Sequence, residues 1–264
     1  MSASEAATDG QTILLQLSDL HLRAQEGEPD ERLARAVAAA RELAPKPLAL
    51  LVSGDIADEP TAEVYARARR ALERLAMPIH AIAGNHDDRD LLAAAFGGRD
   101  SAIGAPVNVL ADVGALRVVG CDTSLPGSPD GELGAEQLEW LVHALADAPA
   151  RATLLALHHP PAPTGIRAMD EIGIDPDHAA LLEALLAEHP QVLALTCGHV
   201  HRTAVSSFAG RPLLVCPSTS STLRLDLRAE DDLPLVFDEQ PPAFAVHLLA
   251  GGRLVSHVQS LPAE

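Results

Sequence analysis

Five apolar runs in this chain each end in residues of the kinds that bind metals or move protons. Residues 12–17 lead into Asp19 and His21, residues 48–52 into Asp55, and residues 79–83 into Asn85 and His86. Residues 153–157 lead into His158 and His159, and residues 192–197 into His199 and His201. Oxygen and imidazole donors mixed in this way suit borderline divalent metals such as Mn, Fe, Co or Zn. One ion needs three or four donors and more are present, so two ions are the better count. Two ions about 3.5–4 Å apart need a bridging group. Asp55, a carboxylate alone at its tip, suits that role. Each motif by itself is weak, because Asp-x-His and Gly-Asp commonly mark turns. Their joint presence carries the reading.

Something must bring these tips together. A short apolar run that stops at Gly or a polar residue reads as a buried strand of a parallel sheet. Open α/β sheets place ligands at the carboxyl ends of such strands. Between the runs the spacing predicts helices over 30–43, 61–76, 90–96, 136–146 and 177–188, the first stopped by Pro45. Residues 107–122 read as a hairpin around Gly114, and 123–134 as a Gly/Pro/Ser-rich loop. A Pro-rich surface loop follows His159 as far as Gly173. From Thr203 onward, short alternating runs with turns at Gly210-Arg211 and Gly251-Gly252 predict antiparallel strands closing a second sheet. Residues 226–242 are acidic and interrupted by proline, hence irregular. The expected organisation is a disordered tail over 1–10 and a single α/β domain over 11–264.

Composition narrows the function. The formal net charge is −18, with no basic stretch to neutralise a phosphate backbone, which argues against long nucleic acid and anionic membrane surfaces as partners. No apolar run approaches the roughly 20 residues of a membrane-spanning helix. Residues 1–10 lack the basic flank and apolar segment of a signal peptide. Cys121, Cys197 and Cys216 have no paired spacing, which fits a reducing compartment. A cytoplasmic location is therefore expected, and a homo-oligomer remains open.

The motifs Asp19-x-His21, Gly54-Asp55-x-x-Asp58, Gly84-Asn85-His86-Asp87, His158 and Gly198-His199-x-His201 resemble the full motif set of the calcineurin-like metallophosphoesterases. They stand in that family's order. Residues 131–145 and His158-His159-Pro160-Pro161 resemble its bacterial branch of class III cyclic-nucleotide phosphodiesterases and glycerophosphodiesterases. The resemblance implies a four-layer α-β-β-α sandwich, two packed mixed β-sheets flanked by helices. It implies one metal on Asp19, His21, Asp55 and His201, and a second on Asp55, Asn85, His158 and His199. These would be two divalent or trivalent ions of Mn, Fe, Co or Zn. His86 matches the family's catalytic histidine and Asp58 the acid that orients it. A bridging hydroxide would attack phosphorus in line with the leaving alkoxide, since metal binding lowers the pKa of water to about 7.

The expected substrate is a small phosphodiester, with 3′,5′-cyclic nucleotides such as cyclic AMP slightly favoured over glycerophosphodiesters. A phosphomonoesterase on the same metals is the alternative, and a non-catalytic scaffold a weaker one. Arg23 is either a substrate-phosphate contact or a solvated arginine. Met169, with the loop 162–173, is the candidate apolar wall. Adjacent strand residues face opposite ways, so only one of His158 and His159 should ligate. His159 is then a group behind the ligands or facing substrate. Asp87 and Asp88 either support the ligands or cap the helix at Asp90. Residues 237–244 are a packing surface or a flap. Six histidines (His80, His143, His178, His189, His247 and His257) lie off the strand tips and read as structural.

Overall fold

The computed structural model describes residues 10–97, 103–228, 234–238 and 241–261. The expected tail over 1–10 lies almost wholly outside the described residues. The chain runs through β1 (Thr12–Leu17), α1 (Glu28–Arg41), β2 (Ala49–Ser53), α2 (Ala62–Leu72), β3 (Ile79–Ile82) and α3 (Arg89–Phe96). Strands β4 (Val109–Val113), β5 (Leu116–Gly120), β6 (Ser124–Leu125) and β7 (Ser128–Gly131) precede α4 (Ala135–Ala146) and β8 (Thr153–Ala156). Next come α5 (Arg167–Asp170), α6 (Pro176–Ala187), β9 (Val192–Cys197), β10 (Ala204–Phe208) and β11 (Arg211–Val215). The last four strands are β12 (Thr222–Leu223), β13 (Phe237–Asp238), β14 (Ala243–Ala250) and β15 (Arg253–Ser260).

Two large mixed sheets result, ordered β15-β14-β1-β2-β3 and β10-β11-β9-β8-β5-β4. Strands β1, β2 and β3 are parallel in the first sheet, and β11, β9, β8 and β5 in the second. The period-2 alternation of strands explains the layering. Leu15, Leu17, Leu50 and Val52 face α1 and α2, while Leu14 and Leu51 point the other way and meet Val118, Leu154 and Ala194 of the second sheet. Leu155 and Leu195 pack under α4 and α6. Three apolar layers thus separate four structural ones, the expected α-β-β-α sandwich. Among the described residues, no helix is long and apolar enough to cross a membrane.

Four expectations need correction. Only some of the strands after Thr203 close the second sheet. β10 and β11 extend the second sheet, whereas β14 and β15 extend the first beside β1. Their alternation gives strand type but not partner, and β1 needs an antiparallel neighbour on its open edge. The supposed loop 123–134 contains the β6/β7 ribbon, and the Pro-rich loop contains α5. Within 226–242, residues 229–233 and 239–240 lie outside the described residues, but Phe237–Asp238 is a strand, paired with Thr222–Leu223.

Where the sheets meet, a buried polar network ties them. Thr196 Oγ1 donates to Gln16 Oε1 across the sheets at 2.7 Å, and Gln16 Nε2 donates to Ser53 Oγ at 2.8 Å. The fully buried His247 donates from Nε2 to Gln16 Oε1 and accepts at Nδ1 from Ser256 Oγ. Burial depresses this imidazole from 6.5 to about 4. The folded state therefore refuses a proton that the unfolded chain accepts. Stability from the neutral ring is fully present above pH 6.5 and falls as pH drops from 6.5 toward 4, by about 1.4 kcal/mol per unit. Between pH 7 and pH 5, with chelator present, urea denaturation should show the protein losing about 2 kcal/mol more than His247→Gln.

Candidate active site

The seven expected ligands come from two sheets yet converge at one place, because the parallel strands of both sheets point their carboxyl ends the same way. The loops after β1 and β2 run side by side: Asp19 N donates to Gly54 O, His21 N to Asp55 O, and Leu22 N to Ile56 O, all at 3.0–3.1 Å. Among the described non-glycine residues with positive φ are Asp19, His21, Asp55, His199 and His201, alongside only Ala76 and Ala209. Left-handed backbone is disfavoured for such residues and collects at functional sites. The motif glycines serve close approach. A Cβ on Gly84 would stand 2.1 Å from Asp55 Oδ1, and one on Gly198 2.1 Å from Ser18 Oγ.

The side chains form two groups sharing Asp55. Asp19, His21, Asp55 and His201 each offer a ligand atom, all within 4.8 Å of one another. Asn85 Oδ1 lies 3.2 Å from His158 Nε2 and 3.1 Å from His199 Nδ1. Asp55 Oδ2 is 3.4 Å from both His21 Nε2 and His158 Nε2, between the groups.

Proton positions follow from the outer partners. His158 Nδ1 faces the Ser53 carbonyl at 2.7 Å and His201 Nδ1 the Ser221 carbonyl at 3.1 Å. Carbonyls only accept, so both Nδ1 atoms carry hydrogen, and both rings turn Nε2 inward, where it offers a lone pair when the ring is neutral. His21 does the same, with Nδ1 on Asp58 Oδ1 and Nε2 only 2.8 Å from His201 Nε2. Lone pairs and carboxylate oxygens thus face one another at the centre. Asp19 Oδ2 is buried there with no partner, and so is His199 Nε2 on the far side of its ring. Burial depresses His158, but the Asp55 carboxylate, helped by Asp19 and the Ser53 carbonyl, lifts it to about 9. Burial, with His21 adjacent, holds His201 at about 4. Burial opposes a proton on His21 as well, but the Asp58 hydrogen bond and the Asp55 and Asp19 carboxylates raise its pKa. Protons can thus relieve some of these contacts, and divalent cations would relieve them all together. The donor set fits such ions.

His86 stands apart. Its backbone N–H donates to Asp55 Oδ1 at 2.9 Å, while ring Nδ1 lies 3.2 Å from Asp58 Oδ1. The ring is 41% exposed on the cleft, which leaves Nε2 for a ligand there. Asp58 Oδ1 faces both His86 and His21, and Oδ2 accepts from Arg23 Nε at 3.2 Å. The hydrogen bond from His21 outweighs burial and, with His86 and Arg23 nearby, holds this carboxyl down at about 2. Asp58 therefore orients a candidate ligand as well as His86. The cleft has a volume of about 970 Å³, with Arg23 and Met169 on its walls.

Although His158, His159 and His199 each offer a nitrogen within 4.8 Å of one another, His159 does not line the cleft. It is fully buried, with Nδ1 on Thr123 Oγ1 at 2.8 Å and Nε2 facing the Pro129 carbonyl at 3.2 Å. The alternation rule fails here because β8 ends at Ala156. The two histidines lie in the loop beyond it, with ring centroids 4.9 Å apart. Asp88 caps α3 by accepting from Leu91 N. Asp87 instead accepts from the backbone N–H groups of Gly84, Ile56 and Ala57 and from Tyr65 Oη, locking the Asp55 and Asn85 loops together.

The sequence reading missed the loop after β11. Ser218 Oγ and Ser220 N both donate to Asp19 O, Thr219 N donates to Ser18 O, and Ser221 orients His201. Its signal was available: a run of small hydroxyl residues directly behind the apolar residues 213–216.

A two-sheet α/β sandwich with an imidazole–carboxylate cluster at its strand ends defines the class: a metal-binding phosphoesterase fold. The family model described as calcineurin-like phosphoesterase matches residues 13–203. The chain belongs to that family. It is 36% identical to a 3′,5′-cyclic adenosine monophosphate phosphodiesterase, CpdA, of Pseudomonas aeruginosa, over 81% of this chain and 78% of that protein. It is 31% identical to a probable glycerophosphodiester phosphodiesterase, GpdQ, of Arcobacter nitrofigilis, over 89% of this chain and 88% of that protein. Among solved structures, a purple acid phosphatase from yellow lupin seeds superposes with a TM-score of 0.62 at 14% identity. That match covers 95% of this chain and 51% of the other, a likeness of fold alone.

Proposed function

We propose that this chain hydrolyses small phosphodiesters on a pair of divalent cations, with 3′,5′-cyclic nucleotides the favoured substrates and glycerophosphodiesters the next. The observation that carries the reading is Asp55 Oδ2, equidistant at 3.4 Å from His21 Nε2 and His158 Nε2. A carboxylate so placed serves two ions at once. Asp19, His21, Asp55 and His201 would hold one, and Asp55, Asn85, His158 and His199 the other. Bound there, the ions supply Lewis-acid chemistry, acidifying water and neutralising charge on phosphoryl oxygens.

The chain's own groups do the rest. Asp58 holds His86 by Nδ1, so Nε2 can donate a proton to a phosphoryl or leaving oxygen in the cleft. Arg23, 63% exposed on the same rim, offers its guanidinium to the substrate phosphate. Met169 gives an apolar floor to the rest of the substrate. The names of the two bacterial relatives support diester over monoester chemistry. Three free, buried cysteines fit a cytoplasmic setting.

The test is a substrate panel in Mn, Co, Zn and Fe: 3′,5′-cyclic AMP, glycerophosphoethanolamine, bis(p-nitrophenyl) phosphate and p-nitrophenyl phosphate. The bis-ester should exceed the monoester in kcat/KM by at least about tenfold, a preference of ~1.4 kcal/mol. The reverse order favours the phosphatase reading, and no turnover of any diester removes the proposal.

A further inference from the structure

The cleft has an apolar rim that the proposed chemistry leaves unused. Of the six aromatic residues, Tyr65 and Phe244 are fully buried and Phe208 nearly so, while Phe96 and Trp140 pack partly buried against the two helix-side cores. Phe237 alone is exposed, at 46%, and it lines the cleft. Leu235, two residues earlier, is 41% exposed and lines it too. Exposed apolar side chains clustered beside polar chemistry mark ligand surfaces.

The ring is fixed in place. Phe237 stands opposite Leu223 in the β12/β13 ribbon, and Leu223 N donates to His201 O. An Arg224–Asp238 ion pair spans the same ribbon, and Arg202 donates to Leu223 O at 2.7 Å. Held this way, the Phe237 ring meets the His201 ring at a 5.1 Å centroid distance and a 64° interplanar angle. The ring therefore packs against a candidate metal ligand, and nearly half of the residue stays exposed in the cleft. Met169 and Ile172 line the cleft as well.

We propose that Phe237 is the stacking platform for the base of a 3′,5′-cyclic nucleotide, the residue by which this cleft separates nucleotides from aliphatic phosphodiesters. The proposal rests on the phosphodiesterase reading above. A planar base has a π-face for the ring, and an aliphatic headgroup has none. A single sugar ring separates phosphorus from the base, which matches a platform beside His201. A purine presents the larger face, so adenine and guanine cyclic nucleotides are the expected ligands.

The experiment compares metal-loaded wild type with Phe237→Ala, Phe237→Leu and Phe237→Trp, using 3′,5′-cyclic AMP and glycerophosphoethanolamine. In the Ala and Leu variants the ratio of the two kcat/KM values should fall about tenfold, within the range that base–aromatic stacking contributes. The loss should appear in KM for cyclic AMP, and Trp should restore it. An equal loss on both substrates would mean that the ring only braces His201, and this overturns the proposal; so does an unchanged ratio. Calorimetric titration with cyclic AMP provides the readout independent of turnover. If wild type cleaves neither diester, the parent reading has failed, yet a tenfold weaker Kd in Phe237→Ala still supports the platform and an unchanged Kd rejects it.

Discussion

Replacing Asp55 by Asn should lower turnover of any diester by at least ~10³-fold and also destabilise the metal-free protein near neutral pH. Both effects follow from the charge of one carboxylate. Asp55 Oδ1 accepts the His86 backbone N–H, and an amide oxygen can do the same. Oδ2 faces two imidazole Nε2 atoms at 3.4 Å. Against burial, His158 and His21 hold this carboxyl well below its usual range, and it lifts His158 to about 9, a pairing an amide cannot keep. The buried Asp87 carboxyl, raised to about 6 by burial and then by the Asp55 charge, would be relieved, which offsets part of that loss. The native carboxylate thus supports the empty fold as well as the loaded one. Losing the shared anionic ligand removes several kcal/mol of charge stabilisation, and each 1.36 kcal/mol is tenfold in rate. Elemental analysis should find two ions per wild-type chain and at most one in Asp55→Asn. Thermal denaturation in chelator at pH 7 should show a lower Tm for Asp55→Asn than for wild type. A variant that keeps both ions and turns over within tenfold of wild type would remove the bridging role.

Much of this site could be read in the sequence because its parts are local. A strand that stops at Gly54-Asp55 or Gly198-His199 announces both its element and its tip within a few residues. What the sequence hides is which strand sits beside which. The runs leading to Asp19, Asp55 and Asn85 share one sheet, and those leading to His158 and His199 the other. Nothing in a single apolar run distinguishes the two, since both sheets are buried on both faces. The same gap produced the error over β14 and β15, whose alternation is plain but which join their sheet through the pairing of β14 with β1, more than 200 residues away. For His159, read as a group behind the ligands or facing substrate, the structure shows a buried ring off the cleft, but the period-2 argument was carried past the last strand residue, Ala156, into a loop where it has no force. The supports around the site are the least legible. Ser221 and Gln16 act through contacts 20 and 180 residues distant, on His201 and Thr196, and neither has a local pattern. Phe237 is visible as a residue but not as a cleft wall, because that depends on the ribbon pairing with Leu223.

The second large effect should separate the proton donor from the ligands. His86→Ala is expected to lower kcat by about 10²–10⁴-fold, the usual contribution of a general acid, with both metal ions retained. The reason for retention is geometric. The hydrogen bond of His86 to the ligand set runs through its backbone N–H to Asp55 Oδ1, which alanine preserves, while its ring bonds to Asp58 and meets the His21 ring only edge-on, at a 4.8 Å centroid distance. The size of the loss should depend on the leaving group. A nitrophenolate departs without a proton, so bis(p-nitrophenyl) phosphate should suffer least, and cyclic AMP, which releases an alkoxide, most. If both substrates lose activity equally, the ring serves to bind phosphate and not to protonate the leaving oxygen. Asp58→Asn is the necessary companion, because Asp58 orients two rings. It should weaken proton donation through His86 and, unlike His86→Ala, also lower metal content, since His21 loses the carboxylate that turns its Nε2 inward. Partners of metal-ligating histidines typically contribute 10–100-fold to affinity. A variant pair in which His86→Ala sheds metal and Asp58→Asn does not would reverse these assignments.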